Sequence, residues 1–196
     1  MVYQKIKFVL FVIVTFGIIS CGDVVDFSNP VSNQGPDGRK WISLPLLEVQ
    51  TPDGIYFEKI FYTATRAING KIGGELELKN SYTGGPLRNV KFESRLTFEP
   101  NSFDDIRLIS MTIQPEYGSA VFEPHGGFNK PAIYNVKFEG LDLKGVDPRD
   151  VRFVYMAEDG TYEYISVDKI KIDVDKGLLQ VINAYLPHFS RFGFVN

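Results

Sequence analysis

Cysteine and histidine are the chemically reactive residue types that this sequence has least of. Among its 196 residues there is one cysteine, Cys21, and there are two histidines, His125 and His188. The chain after Cys21 therefore contains no disulfide, no cysteine nucleophile and no metal site built from thiolates. Because the two histidines lie in different segments, and neither belongs to a His-Glu-x-x-His pattern, we expect no metal and no cofactor.

Runs of basic residues are absent too. Lys and Arg number 21 against 24 Asp and Glu, and removing residues 1–20 with Lys5 and Lys7 leaves 19 against 24, a net charge of −5. A mildly acidic chain without a basic patch has no electrostatic basis for binding nucleic acid, so we expect none. It also lacks a polybasic segment that would hold it on an anionic membrane.

Long apolar runs and long helical periods are missing as well. The N-terminal apolar run, residues 8–19, has twelve uncharged residues. As a helix it would rise about 18 Å, short of the roughly 30 Å hydrocarbon core of a bilayer, so a permanent transmembrane helix is disfavoured. After Trp41 no stretch keeps a helical period for three turns, which argues against a helical domain.

The N-terminus instead has the layout of a signal peptide. Lys5 and Lys7 precede the apolar run, and small residues follow it, as in a secretory leader. The stretch Ile18-Ile19-Ser20-Cys21 resembles a bacterial lipobox, which implies cleavage before Cys21 and a diacylglycerol thioether on its sulfur. We therefore expect an exported protein that is anchored to a bacterial membrane, in the periplasm or on the cell surface. An ordinary secretory signal is the alternative.

Behind this leader, residues 1–20, the composition divides the chain into a tether and a domain. Residues 21–40 contain the turn-forming stretches Ser28-Asn29-Pro30 and Pro36-Asp37-Gly38, with few apolar residues, and we interpret them as a flexible tether. Residues 41–196 form a single domain of ordinary size.

Period-two alternation predicts that this domain is all-β. Between Val90 and Phe98 the even positions are mainly apolar and the odd positions carry Lys, Glu, Arg and Thr, as in a strand with one wet face. Pro and Gly breaks and strands about ten residues apart favour an antiparallel, Ig-like two-sheet β-sandwich. The other predicted strands are residues 75–79, 106–113, 120–122, 132–138, 169–175, 178–185 and 189–195.

Two hairpins follow from turn chemistry. Residues 151–156 and 162–167 flank Asp159-Gly160, a pair that suits a tight primed turn. Residues 170–174 and 178–182 flank Asp175-Lys176-Gly177, which suits a three-residue loop with glycine in the left-handed position. A calcium loop at Asp173 and Asp175 is disfavoured because the further oxygen ligands at set spacing are absent.

Four segments in the second part of the chain resemble landmarks of the ZU-five domain, the β-sandwich module of ankyrins, netrin receptors, zona-occludens proteins and many bacterial surface proteins. The resemblance covers about residues 70–196 and implies a β-sandwich that binds or scaffolds other proteins in the cell envelope. The turn after Phe98 lacks the family's second proline and glycine. Residues 80–88 predict a longer loop than is usual, and residues 41–69, outside the match, are expected to add strands. The matching segments are Gly73-Gly74-Glu75-Leu76, residues 96–103 with the following strand 109–113, residues 122–131, and His188-Phe189-Ser190-Arg191-Phe192-Gly193.

The tripeptide His188-Phe189-Ser190 carries the one chemical hypothesis. In some relatives it cuts itself between Phe and Ser. The hydroxyl attacks the preceding carbonyl, histidine takes the proton, and a strained peptide bond drives the shift to an ester that water then hydrolyses. The alternative is that these residues are simply the last strand, with Phe189 inward and with His188 and Ser190 outward or in a shallow polar pocket. We expect the alternative and an intact bond. Ser119 lacks a Gly-x-Ser-x-Gly elbow, so a hydrolase triad is not supported.

Aromatic residues suggest the remaining ligand. Tyr155, Tyr162 and Tyr164 fall in one predicted hairpin and could form a flat face for a glycan, although aromatic pairs also stabilise sheets by packing. The sequence thus predicts a lipid-anchored, non-catalytic protein-binding or scaffolding module. A carbohydrate-binding module and a self-cleaving domain are the alternatives.

Overall fold

The structure is a computed structural model that describes residues 38–157 and 161–196. The predicted leader, Cys21, most of the tether and the Asp159-Gly160 turn lie outside the described residues. Within those residues no helix is both long enough and apolar enough to cross a membrane.

In the described ranges the chain forms β-strands and one short 3₁₀ helix, Pro115–Tyr117. Every strand pairing is antiparallel. The strands are β1 (Leu47–Thr51), β2 (Gly54–Glu58), β3 (Tyr62–Asn69), β4 (Gly74–Tyr82), β5 (Val90–Phe98), β6 (Ile106–Gln114), β7 (Ser119–Glu139), β8 (Arg152–Met156), β9 (Tyr162–Tyr164), β10 (Val167–Asp173) and β11 (Leu178–Val195).

Two long strands, β7 and β11, belong to both layers of the sandwich. Residues 119–123 of β7 pair with β6, whereas residues 133–139 pair with β5. The first half of β11 pairs with β10, and its last residues pair with β8. One layer is therefore ordered β4-β5-β7-β11-β10 and the other β3-β6-β7-β11-β8-β9. This arrangement confirms the predicted all-β, antiparallel sandwich.

The local strand predictions hold where alternation is strong. β5 spans the predicted residues 90–98, and its even positions are buried while Lys91, Glu93 and Arg95 are exposed. The predicted division of β7 into residues 120–122 and 132–138, and of β11 into residues 178–185 and 189–195, is wrong. The prolines and glycines within these two segments suggest strand breaks in the sequence, but each strand continues through them. Register shifts between Leu186 and His188 and between Phe189 and Arg191 let β11 pass from one layer to the other.

Both predicted hairpins are present. β8 pairs with β9, although β9 ends at Tyr164 and Val167 already begins β10, so the predicted end of the second strand is wrong. β10 pairs with β11, and Gly177 has the left-handed φ of +59° that the turn requires. Asp173 is bound to Lys176 Nζ at 2.9 Å, so its carboxylate has a partner within the turn.

A buried polar contact joins the two layers. The Ser94 hydroxyl on β5 lies 2.8 Å from the Tyr134 hydroxyl on β7 and 3.2 Å from Met111 Sδ on β6, in the opposite layer. Burial raises the pKa of Tyr134, so the phenol stays protonated. The surrounding core is aromatic, which agrees with the interpretation that most aromatic residues of the sequence pack inside the sandwich.

The expectation that residues 41–69 add strands to the sandwich is met only in part. β3 pairs with β6 and joins the sandwich as predicted. β1 and β2 pair only with each other among the described strands, and they form a two-stranded sheet of their own. Trp41 forms a bridge with Val195 at the end of β11, so the chain is fixed to the domain just before this hairpin.

Candidate functional site

The tripeptide His188-Phe189-Ser190 lies in β11 where the strand changes layers. Phe189 is buried, and its ring centroid lies 5.6 Å from that of Phe122 and 4.7 Å from that of Phe128. This confirms the inward orientation predicted for Phe189. His188 and Ser190 are half-buried. Of the two positions expected for His188, outward or in a shallow polar pocket, the structure does not show the pocket, since the half-buried ring packs edge-on against Tyr155 at 4.7 Å.

The geometry around the Phe189–Ser190 bond differs from that of a poised cleavage site. A bulge places Ser190 between the paired residues Phe189 and Arg191. Ser190 is absent from the described non-glycine residues with positive φ, so its backbone does not have the left-handed conformation that costs non-glycine residues energy. The Phe189 carbonyl oxygen lies 3.4 Å from His125 Nδ1. In the described part of the chain, no hydrogen bond joins His188 to Ser190.

We expect purified protein to keep the peptide bond between Phe189 and Ser190. The reason is that Ser190 has neither a left-handed backbone nor a hydrogen bond to His188 that would activate its hydroxyl. Intact mass spectrometry of the full chain measures this directly. A fragment ending at Phe189 that disappears in Ser190→Ala, but persists in the exposed-site variant Ser81→Ala, would contradict the prediction.

The three tyrosines proposed as a sugar platform do not share a face. In the β8–β9 register Tyr155 pairs with Glu163, whereas Tyr162 and Tyr164 pair with Met156 and Val154. Since neighbours along a strand point to opposite sides, Tyr155 lies on one side of the hairpin and the other two lie on the other. The three rings therefore do not form the flat face that was the alternative to core packing.

The other side chains considered for catalysis or metal binding are also poorly placed for such a role. Ser119 is buried, and its hydroxyl lies 3.5 Å from the Gln114 side chain. Charged residues on the outer face of β4, β5 and β7 pair with one another, as Arg95 does with Glu77. A hydrogen bond to Glu139 raises the pKa of Lys137 in the same region. The described residues contain no cluster of three or more His, Asp or Glu placed to hold a metal ion.

The exposed apolar surface of the β1–β2 hairpin is the strongest candidate site. All five residues of β2 are exposed. Ile55, Tyr56 and Phe57 have exposed fractions of 55%, 51% and 64%, and Phe61 after the strand has 53%. Apolar side chains in one contiguous exposed stretch mark interaction sites on soluble domains.

The base of the hairpin is held firmly against the sandwich. The Glu48 N–H donates to the Thr83 carbonyl at 2.8 Å, and the Glu48 carboxylate lies 3.3 Å from an Arg88 guanidinium nitrogen. The Tyr82 hydroxyl donates to the Pro45 carbonyl at 2.6 Å. A Cβ at Gly84 would lie 2.1 Å from the Leu46 carbonyl oxygen, so only glycine allows this close approach. The exposed strand therefore projects from a fixed support.

The backbone of β2 also has an open edge. Glu48 pairs with Phe57, and the Glu48 N–H points away from β2 toward Thr83. Because residues of an antiparallel ladder direct their backbone groups alternately to the two sides, Phe57 and Ile55 direct theirs away from β1. No described residue forms a backbone hydrogen bond with them there.

The sequence did not reveal this site. A strand with Ile, Tyr and Phe in succession reads as a buried strand, because apolar content alone does not report which strand lies next to it. The signal that could have separated the two cases is the Pro52-Asp53-Gly54 turn, which isolates a short hairpin directly after the predicted tether.

No protein family, curated protein or solved structure matches this chain. The resemblance to the ZU-five domain therefore stays a prediction, carried by the residues in which it was found.

Proposed function

We propose that this protein is a lipid-anchored protein of the bacterial cell envelope whose β-sandwich binds another protein and catalyses no reaction. The observation that carries the proposal is the β1–β2 hairpin, a supported strand that exposes three successive apolar residues and an open backbone edge. Strand edges of this kind bind proteins by adding a further strand, with backbone hydrogen bonds giving affinity and side chains giving specificity.

The position of the hairpin along the chain supports an envelope role. It begins seven residues after the end of the predicted tether, residues 21–40. With lipid on Cys21, this hairpin is the first pair of described strands after the anchor. The ZU-five resemblance supports the same function, since it implies a module that binds or scaffolds proteins.

The two alternatives have less support. Glycan binding relied on a common face for Tyr155, Tyr162 and Tyr164, and the β8–β9 register separates Tyr155 from the other two. Self-cleavage relied on strain at Ser190 and a histidine base, and His188 packs against Tyr155 instead.

Site-specific photo-crosslinking in cells tests the proposal. A photoreactive phenylalanine analogue at Phe57 of the full chain is expected to give a discrete adduct whose protein component mass spectrometry identifies. The matched control places the same analogue at Tyr164, which is 58% exposed in β9, outside the β1–β2 hairpin, and should give no adduct. No adduct at Phe57, or equal adducts at both positions, would refute the proposed function.

A further inference from the structure

The open edge of β2 complements itself. We propose that the protein partner of the hairpin is a second copy of this chain, and that the two β2 strands pair antiparallel around a twofold axis at Tyr56. The result is a four-stranded sheet of order β1-β2-β2-β1. This inference rests on the proposed protein-binding role of the hairpin and names its partner.

Backbone geometry selects the residues that meet. Ile55 and Phe57 direct their N–H and C=O groups to the open edge of β2. In an antiparallel dimer, outward-directed residues must pair with outward-directed residues to exchange both hydrogen bonds. Ile55 of one copy opposite Phe57 of the other satisfies this condition twice, because the twofold axis repeats the pair. Tyr56 then faces its own equivalent across the axis.

Side-chain chemistry favours the same register. With Tyr56 on the axis, each Ile55 lies opposite a Phe57, and aliphatic–aromatic cross-strand pairs are stabilising. Continuing the pairing outward places Lys59 of each copy opposite Asp53 of the other. Moving the axis to Ile55 would place Phe57 opposite Asp53, and moving it to Phe57 would place Ile55 opposite Lys59. The Tyr56-centred register thus matches apolar with apolar and positive with negative.

A lipid surface is a poorer occupant of the same hairpin. Between Leu47 and Lys59 the segment carries Glu48, Asp53 and Glu58 against one lysine, a net charge of −2. Anionic headgroups attract basic segments and repel acidic ones. The hairpin also has apolar residues on both faces, Ile55 and Phe57 on one and Tyr56 on the other, which suits extension of a sheet better than shallow insertion on one side.

A shared membrane would strengthen the pairing. Two copies held at one surface by lipid meet at a higher effective concentration than two free copies, so a short strand pairing suffices. The uncharged Ile55-Tyr56-Phe57 stretch lacks the lysine or proline with which natural edge strands prevent such pairing.

Disulfide trapping tests the axis. In full chain expressed in cells, Tyr56→Cys is expected to give a disulfide-linked dimer on oxidation. Residues facing each other in a non-hydrogen-bonded pair have Cα atoms about 4.5 Å apart, within the roughly 4.4–6.8 Å that a disulfide requires. The matched control is Glu58→Cys on the same strand and the same face, whose two copies would lie about 14 Å apart in this register. The unsubstituted chain controls for Cys21.

One combined result would establish the inference, and four others would overturn it. A dimer with Tyr56→Cys, little with Glu58→Cys, and a roughly tenfold loss when Ile55→Lys is added would establish the pairing. Absence of the Tyr56→Cys dimer, or equal yields from both cysteine variants, would overturn it. A Phe57 photo-adduct with a different protein, or retention of a chain with Cys21→Ser on anionic vesicles that Ile55→Lys abolishes, would also overturn it. A Phe57 photo-adduct with a different protein leaves the proposed function intact. Absence of any Phe57 adduct would refute both the proposed function and this inference.

Discussion

Phe189→Ala is expected to lower the free energy of unfolding of the domain by about 3–5 kcal/mol, the range for truncating a fully buried aromatic side chain. The Phe189 ring contacts Phe98 from β5 and Phe122 from the region of β7 paired with β6, so it packs between strands of both layers. The backbone around it is fixed by strand pairing on β11. The sandwich therefore cannot close the cavity fully, and most of the lost contact energy remains lost.

Urea unfolding followed by circular dichroism and by the fluorescence of Trp41, the one tryptophan, measures this effect. Tyr164→Ala is the control, because that side chain is 58% exposed and its loss should change stability by no more than about 0.5 kcal/mol. Equal destabilisation by the two variants would contradict the placement of Phe189 in the core. The same result would leave the Ser190→Ala test of peptide cleavage unaffected.

Cys21→Ser is expected to move the protein from the detergent phase to the aqueous phase, or to leave it as an uncleaved precursor. The reason is that the acyl chains predicted on Cys21 would supply the membrane affinity, at about 0.8 kcal/mol for each buried methylene, and stable anchoring takes two chains. The acidic chain has no polybasic segment that would replace them. Detergent phase partitioning and the mass of the purified protein report both consequences.

The matched control for this experiment is Ser28→Ala, a change of similar size in the predicted tether. It should leave both cleavage and partitioning as they are in the unsubstituted protein. If Cys21→Ser partitions into detergent like the unsubstituted protein and has the same mass, the lipoprotein interpretation is wrong.

Local patterns carried the predictions that the structure confirms. Alternation along residues 90–98 predicted β5 with its bounds and its buried face, because a strand's two faces follow directly from the period of its side chains. Turn chemistry predicted the β10–β11 hairpin for a similar reason. Gly177 has the left-handed backbone conformation that the three-residue loop requires, and this requirement comes from residues next to it in sequence.

The predictions that failed all depended on which strand lies beside which. Nothing local distinguishes a proline or glycine that ends a strand from one at which a strand passes between layers, so the sequence predicts two strands in place of each of β7 and β11. The separation of Tyr155 from Tyr162 and Tyr164 arises from one register between β8 and β9. A shift of this register by one residue would move every side chain of the strand to the opposite face.

Alternation, turns and apolar content act over a few residues, and they were enough to predict the all-β class, the antiparallel sandwich and the inward position of Phe189. The exposure of Ile55, Tyr56 and Phe57 and the packing of His188 against Tyr155 are visible only in the folded chain. Both depend on which surfaces other parts of the chain cover, and no short segment carries that information. β1 binds the sandwich through Glu48, and no described strand covers the far side of β2.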